Sequence, residues 1–241
     1  MSQVQGQGQG LDSRDSLTTP AIRSGKAWLA YQRLVGAYGP CSLRPRNSPL
    51  DELIATMLSQ HTSDVNSARA YANLRQAFPT WEHVVAASED AVAEAIRVGG
   101  LARTKARRIK ALLAGLAERR GAVSLDFLAD LSTEEARAVL EGIPGVGAKT
   151  AACVLLFALG RPVLPVDTHV HRASRRLGLA PDGASPEQVE RVLAAALPPE
   201  AYHAFHLNLI RHGRQVCRAR RPVCESCCLA DLCDYCATVR R

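Results

Sequence analysis

The segment Ile143-Pro-Gly-Val-Gly-Ala-Lys-Thr150 lies between two apolar stretches with helical periodicity, and it constrains the fold of this chain more than any other feature. Proline and glycine here predict a tight turn between two helices, because glycine permits close backbone approaches. The second helix is expected to begin near Ala148. Its first N–H groups lack partners within the helix and lie at the positive end of its dipole, so they offer a site for a phosphate oxygen. The pattern predicts a hairpin that binds a phosphate backbone without reading its sequence.

Lys149 lies in the first turn of that predicted helix, and Asp167 follows 18 residues later within Val166-Asp-Thr-His169. Like-signed partial charge at the helix start favours a neutral, nucleophilic amine. Asp167 is expected to open a further helix, where backbone N–H groups keep a carboxylate ionised. The two residues are therefore predicted to share one cleft. The alternative is a solvated lysine and an ordinary helix cap, which is a common feature.

Four cysteines near the C-terminus lie within 17 residues, spaced Cys217-x6-Cys224-x2-Cys227-x5-Cys233. Thiolates this close suit a tetrahedral zinc ion, an iron–sulfur cluster or two disulfides. Disulfides are the weakest interpretation, because the sequence opens without a secretion signal and clustered cysteines in a reducing compartment more often bind metals. We expect a cytoplasmic, nucleoid-associated protein.

Together, the hairpin, its lysine, Val166-Asp-Thr-His169 and the cysteine spacing resemble the endonuclease III branch of the helix-hairpin-helix DNA glycosylase superfamily. The resemblance runs from about residue 48 to residue 233. It implies a base-excision DNA N-glycosylase with abasic-site lyase activity, acting on oxidised pyrimidines and abasic sites in double-stranded DNA. Lysine at position 149 implies the lyase step, whereas serine or tyrosine there implies base removal alone.

The same resemblance implies the cofactor and the roles of the site residues. The four cysteines would hold a 4Fe-4S cluster, with Cys227 rather than Cys228 as a ligand and zinc as the alternative; Cys236 extends the set without an assigned role. Lys149 would attack C1′ of a flipped nucleotide and form an imine, whose C2′ proton is lost to break the strand. Asp167 would stabilise positive charge at C1′ and help to deprotonate the amine. Glu141 would support these two residues without contacting the reacting atoms.

Residues expected to contact DNA include two that would fill the gap left by the flipped base, His61 and Leu101. Relatives often carry glutamine where this chain has His61. The alternatives are that His61 is a polar residue at a helix end and that Leu101 packs inward. The full set of expected DNA contacts is Gln60, His61, Leu101, Gly145, Gly147 and Arg214.

Helical periodicity dominates from residue 26 onward, and strand alternation is almost absent. Ser132-Thr-Glu-Glu135 and Ser185-Pro-Glu-Gln188 are typical of capping boxes at helix starts. We expect an all-α, two-lobed helix-hairpin-helix glycosylase fold with a C-terminal iron–sulfur loop. The resemblance implies a six-helix domain at residues 43–161 and a lobe of residues 23–42 plus 162–241, with DNA in the cleft between them. Residues 1–22, which are poor in apolar side chains, are predicted to be a disordered tail.

Charge agrees with a polyanionic partner, since 30 basic residues face 23 acidic ones and the net charge is +7. Arginines around the first cysteine predict a cationic surface beside the cysteine loop; a solvated basic loop is the alternative. No apolar run approaches the ~20 residues of a membrane span, and we expect a monomer. Three rival functions are a monofunctional mismatch glycosylase, a non-catalytic helix-hairpin-helix DNA-binding module and a zinc-stabilised interaction protein.

Overall fold

The structure is a computed structural model that describes residues 25–41 and 47–239; the predicted disordered tail lies outside these residues. Within them the chain forms helices and no strands, which confirms the all-α prediction. The α-helices are α1 (Lys26–Tyr38), α2 (Pro49–Ser59), α3 (Asp64–Ala77), α4 (Trp81–Ala86), α5 (Glu89–Ala95), α6 (Ala102–Arg120), α7 (Thr133–Glu141), α8 (Ala148–Phe157), α9 (Thr168–Leu177), α10 (Pro186–Ala196), α11 (Tyr202–Gln215) and α12 (Asp234–Val239). None of the helices in these ranges is long and apolar enough to cross a membrane.

Local sequence signals determine where many of these helices begin. Ser132 and Ser185 form the two predicted capping boxes, with Pro186 at the first helical position of α10. Each box satisfies otherwise unpaired N–H groups at the helix start, which contributes about 1 kcal/mol. Serine or threonine side chains also cap α2, α3, α4 and α5.

A first hydrophobic core joins α2 to α8. Leu53, Ile54 and Leu58 of α2 are fully buried in it, and α2 packs directly against α8. Between residues 47 and 161 the described chain has seven α-helices rather than the predicted six, because α4 and α5 are short helices with separate caps. The hairpin α7–α8 belongs to this core.

A second core joins α1 to α9, α10, α11 and α12. Leu34 of α1 and Phe205 and Leu209 of α11 are fully buried there, and α1 packs against α11 although the two helices are far apart in the sequence. The division of the chain into residues 43–161 and residues 23–42 plus 162–241 stays a prediction, which these two separate cores support.

Candidate active site

A cleft of about 680 Å³ contains Lys149 and is bordered by α2, α8 and α11. Helices of both hydrophobic cores therefore contribute to it. Lys149 and Glu52 lie on α8 and α2, which are helices of the first core. His206 and Arg214 lie on α11, a helix of the second core.

The second helix of the glycine hairpin, α8, begins at Ala148 as predicted, and α7 before the turn ends at Glu141. Gly145 has a φ of 85°, a conformation that disfavours other residues. Gly147 is different: its φ is −99°, and no heavy atom outside the neighbouring residues lies within 4 Å of a Cβ added there. Our reason for Gly147, a close approach within the turn, is therefore wrong, and the backbone at Gly147 faces open space.

The backbone N–H groups at this turn are available to a ligand. Thr150 and Ala151 both donate to the Gly147 carbonyl, but in the described chain the N–H groups of Gly147 and Ala148 have no backbone acceptor. These groups sit at the positive end of α8, which suits a phosphate oxygen.

Asp167 is the N-cap of α9, as predicted. Its Oδ1 accepts hydrogen bonds from the backbone N–H groups of His169, at 2.9 Å, and Val170, at 2.8 Å. Two such bonds cap the helix and fix the orientation of the carboxyl group. Asp167 and Lys149 both act electrostatically on the buried His206, but Asp167 is absent from the lining of the cleft that contains Lys149, so their sharing of one site stays a prediction.

His206 is a site residue that the sequence analysis missed. It is 2% exposed, and burial lowers its pKa to about 4, so the ring is neutral at physiological pH. Its Nδ1 lies 2.8 Å from the Pro165 carbonyl oxygen. A carbonyl can only accept, so Nδ1 carries the proton and Nε2 is left as an acceptor. This bond holds the segment that leads into Asp167.

Lys149 differs from every other lysine of the chain. The sequence contains four lysines, and all four lie within the described residues. Lys26 pairs with Asp234, while Lys105 and Lys110 each donate to backbone carbonyls. Lys149 alone makes no hydrogen bond to a carbonyl or carboxylate in the part of the chain that the structure describes, although it is half-buried.

The predicted gap-filling residues lie on two exposed turns with unusual backbone conformations. His61 has a φ of 55° and Leu101 a φ of 50°, a region that non-glycine residues rarely occupy. Leu101 is 58% exposed, so the inward-packed alternative is wrong. Gln60 ends α2 next to His61 and is half-buried.

Lys105 joins these two turns and was also missed. It is 5% exposed, and its Nζ donates to the Leu58 carbonyl at 2.8 Å and to the Gly99 carbonyl at 2.9 Å. Leu58 precedes the turn of His61, and Gly99 precedes the turn of Leu101. Burial lowers the pKa of Lys105, and the two carbonyls replace the water that its ammonium loses.

Two further predicted residues have partners that the sequence did not indicate. Arg214 forms a bidentate ion pair with Asp64 of α3, with one contact at 3.0 Å, and the pair spans the cleft. Glu141 lies 3.8 Å from Arg137 and is exposed, and it is absent from the lining of the cleft.

The cysteine loop surrounds a small cavity with an almost entirely apolar lining. The cavity wall includes the four predicted ligands and Cys236 but not Cys228. Within the described residues no group of three or more His, Cys, Asp or Glu side chains has an arrangement that would hold a single metal ion. The sulfurs have polar neighbours: Arg176 lies 3.4 Å from Cys217 Sγ, and His212 Nε2 lies 3.5 Å from Cys227 Sγ.

Comparisons with known proteins agree on one family. The profile of the HhH-GPD superfamily of base excision DNA repair proteins matches residues 54–199. Endonuclease III of Treponema pallidum (strain Nichols) is 43% identical over 182 residues, which cover 75% of this chain and 81% of that protein. A protein of Arabidopsis thaliana is 38% identical over 180 residues, and the match spans 59% of its length. A solved structure of a trapped endonuclease III–DNA covalent intermediate aligns with a TM-score of 0.75 and 31% identity, covering 90% of this chain and 99% of that one.

Proposed function

This chain belongs to the endonuclease III family of HhH-GPD base excision DNA repair proteins, and we propose that it is a bifunctional DNA glycosylase and abasic-site lyase with Lys149 as its nucleophile. Its substrates would be oxidised pyrimidines and abasic sites in double-stranded DNA. One observation carries the proposal: Lys149 is the lysine without a carbonyl or carboxylate partner among the described residues, and it lines the cleft.

The reaction requires a nucleotide to leave the duplex and enter the cleft. Unstacking costs a few kcal/mol, and the exposed turns of His61 and Leu101 would fill the space that the base vacates. The N–H groups of the hairpin turn that carries Gly145 and Gly147 would hold a backbone phosphate. Arg214 would reach DNA after exchanging Asp64 for a phosphate.

In the chemical step, the neutral amine of Lys149 attacks C1′ and the base departs. The positive charge that develops at C1′ is stabilised by the side chain of Asp167, which two backbone N–H bonds at the start of α9 hold in place. The sugar ring then opens to an imine, which acidifies the C2′ proton, and loss of that proton cleaves the 3′ side of the lesion. Covalent catalysis divides one difficult step into easier ones.

The cysteine loop would hold a 4Fe-4S cluster through Cys217, Cys224, Cys227 and Cys233. Support comes from the donor set and from the shared apolar cavity that these thiols surround. A bound cluster would cross-link the loop and stabilise the surface beside α11, and the proposed reaction uses no electron transfer. The monomeric state and the cytoplasmic location also stay predictions.

The proposal is tested by borohydride reduction, which converts an imine between protein and DNA into a stable adduct. Duplexes with thymine glycol or an abasic site are incubated with the wild type, Lys149→Gln and Lys26→Gln. Lys26 is the matched control, because it is a surface lysine paired with Asp234. Trapping by the wild type and Lys26→Gln, but not by Lys149→Gln, is expected on both duplexes. Trapping or strand cleavage by Lys149→Gln would refute the assignment.

A further inference from the structure

Glu52 is an acid in the active-site cleft to which no role has yet been given. It lies on α2, which packs against α8, and it lines the same cleft as Lys149. The two charges interact, but no ion pair joins them in the described part of the chain. An acid and a nucleophile that line one cleft without direct contact leave room for a reacting group between them.

The hydrogen bonds of Glu52 differ from those of Asp167, the carboxylate predicted to act with Lys149. Asp167 accepts two short bonds from backbone N–H groups and is absent from the lining of the cleft. From the described residues, Glu52 accepts two longer side-chain bonds, from Asn47 Nδ2 at 3.2 Å and from Thr56 Oγ1 at 3.3 Å. These bonds orient the Glu52 carboxyl group but stabilise its charge less.

Burial raises the pKa of Glu52 and outweighs the hydrogen bonds from Asn47 and Thr56 and the attraction of Lys149, all of which lower it. A carboxyl group with a raised pKa holds its proton to a higher pH, which suits it to donate that proton to a leaving group. Among the described residues, the other titratable and charged groups that face Glu52 or border the cleft are Cys41, Asp51, Asp64, Tyr71, Cys153, His203, His206, Arg211 and Arg214.

We propose that Glu52 is the general acid that protonates the departing base, a role that rests on the proposed glycosylase function. A pyrimidine leaves C1′ poorly as an anion, and a proton delivered to it as the bond breaks lowers that barrier. Lys149 and Glu52 would then act on opposite ends of the same step, the amine at the sugar and the carboxylic acid at the base.

Glu52 and Lys149 together supply and accept every proton that this step transfers. The lone pair of Lys149 forms the new bond to C1′, and the electrons of the bond between C1′ and the base depart with the base, which takes the proton from Glu52. The new secondary ammonium at Lys149 then loses a proton to the Glu52 carboxylate, which restores the acid. The step needs no other reactant.

The test separates base removal from the chemistry at an abasic site, where no base must be protonated. Glu52→Gln keeps the shape and the acceptor oxygen of the side chain. Single-turnover excision of thymine glycol is expected to fall about 100-fold, while borohydride trapping on the abasic duplex stays within about twofold of wild type. Glu94→Gln, which changes an exposed acid paired with Arg97, is the matched control and is expected to match wild type on both duplexes.

A pH profile provides an independent readout. The wild-type excision rate is expected to fall as the pH rises through the raised pKa of Glu52, and this fall should be absent in Glu52→Gln. Equal loss on both duplexes would overturn the proposal, because it would indicate a structural role or a role in activating Lys149; unchanged excision would overturn it as well. Absence of wild-type trapping on the abasic duplex would instead refute the proposed function of the protein.

Discussion

Replacing Lys105 by methionine tests whether this buried lysine holds the two DNA-facing turns. Methionine fills a similar volume but donates no hydrogen bond, so the carbonyls of Leu58 and Gly99 lose the contacts of 2.8 and 2.9 Å. An unsatisfied buried acceptor costs about 1–3 kcal/mol. Removing a buried ammonium recovers part of that cost, because burial already disfavours the charged form.

The net loss in the free energy of unfolding is expected to be about 2–4 kcal/mol, or a drop in Tm of about 5–10 °C for a chain of this size. DNA binding should suffer separately. His61 and Leu101 both have strained positive φ values, and without Lys105 their turns can relax to ordinary conformations. We expect affinity for a thymine glycol duplex to fall about tenfold, equivalent to about 1.4 kcal/mol, while trapping still depends on Lys149.

Lys110→Met is the matched control for this experiment. Lys110 lies on the same helix α6, and its Nζ donates to the carbonyls of Val84, at 3.1 Å, and Val85, at 2.8 Å, away from both turns. Urea denaturation and fluorescence anisotropy should show lost stability in both variants but weakened DNA binding only in Lys105→Met. Equal weakening of binding, or a stability change below about 0.5 kcal/mol for Lys105→Met, would refute the reasoning.

Three further outcomes are expected. Asp167→Asn keeps a helix cap but loses the anion, so single-turnover excision should slow about 100-fold with stability within about 1 kcal/mol; a large loss of stability in a melting curve would make Asp167 structural. Cys224→Ser should lose brown colour, iron and acid-labile sulfide, whereas Cys228→Ser should keep all three, and the reverse pattern would contradict the ligand set. Folding raises the pKa of Glu52, so its contribution to the free energy of unfolding falls as the pH rises from the ordinary pKa of a glutamate to the raised pKa in the folded protein. Glu52→Gln should therefore have a higher Tm than wild type at neutral pH, and a lower Tm would contradict this.

Features that depend on neighbours in the sequence were predictable. The capping boxes at Ser132 and Ser185 and the opening of α9 at Asp167 require only residues within one helical turn, and all three are as predicted. The glycine hairpin was predictable in the same way, although only Gly145 has the positive φ that demands glycine.

Residues whose roles depend on distant contacts could not be predicted. Lys105 lies in a strongly basic stretch that is typical of a solvated surface, and only packing against α2 shows that it is buried. His206 and Glu52 line the same cleft as Lys149 because three helices pack together, so no local pattern identifies them. Glu141, by contrast, was predicted to support the site, but it pairs with Arg137 and is absent from the cleft lining.

Backbone strain in the described chain lies at surfaces proposed to contact DNA. The non-glycine residues with positive φ are His61, Leu101 and Arg221. Such conformations cost about 1–3 kcal/mol and persist only where the surroundings enforce them. We expect Lys105 to hold the first two turns through its bonds to the Leu58 and Gly99 carbonyls, and Arg221 lies in the loop between Cys217 and Cys224. A strained backbone that lowers stability is expected at positions that are retained for their function.

The central claim, that Lys149 is the covalent nucleophile, is tested most directly by mapping the borohydride-trapped adduct by mass spectrometry. Trypsin cleaves neither after an alkylated lysine nor at the Arg161–Pro162 bond, so a DNA remnant on Lys149 should appear on the uncut peptide of residues 138–172, which follows Arg137 and ends at Arg172. The account predicts this peptide from both the thymine glycol and the abasic duplex. A remnant on the α-amine of Met1 or on a peptide containing Lys26, Lys105 or Lys110 would contradict it.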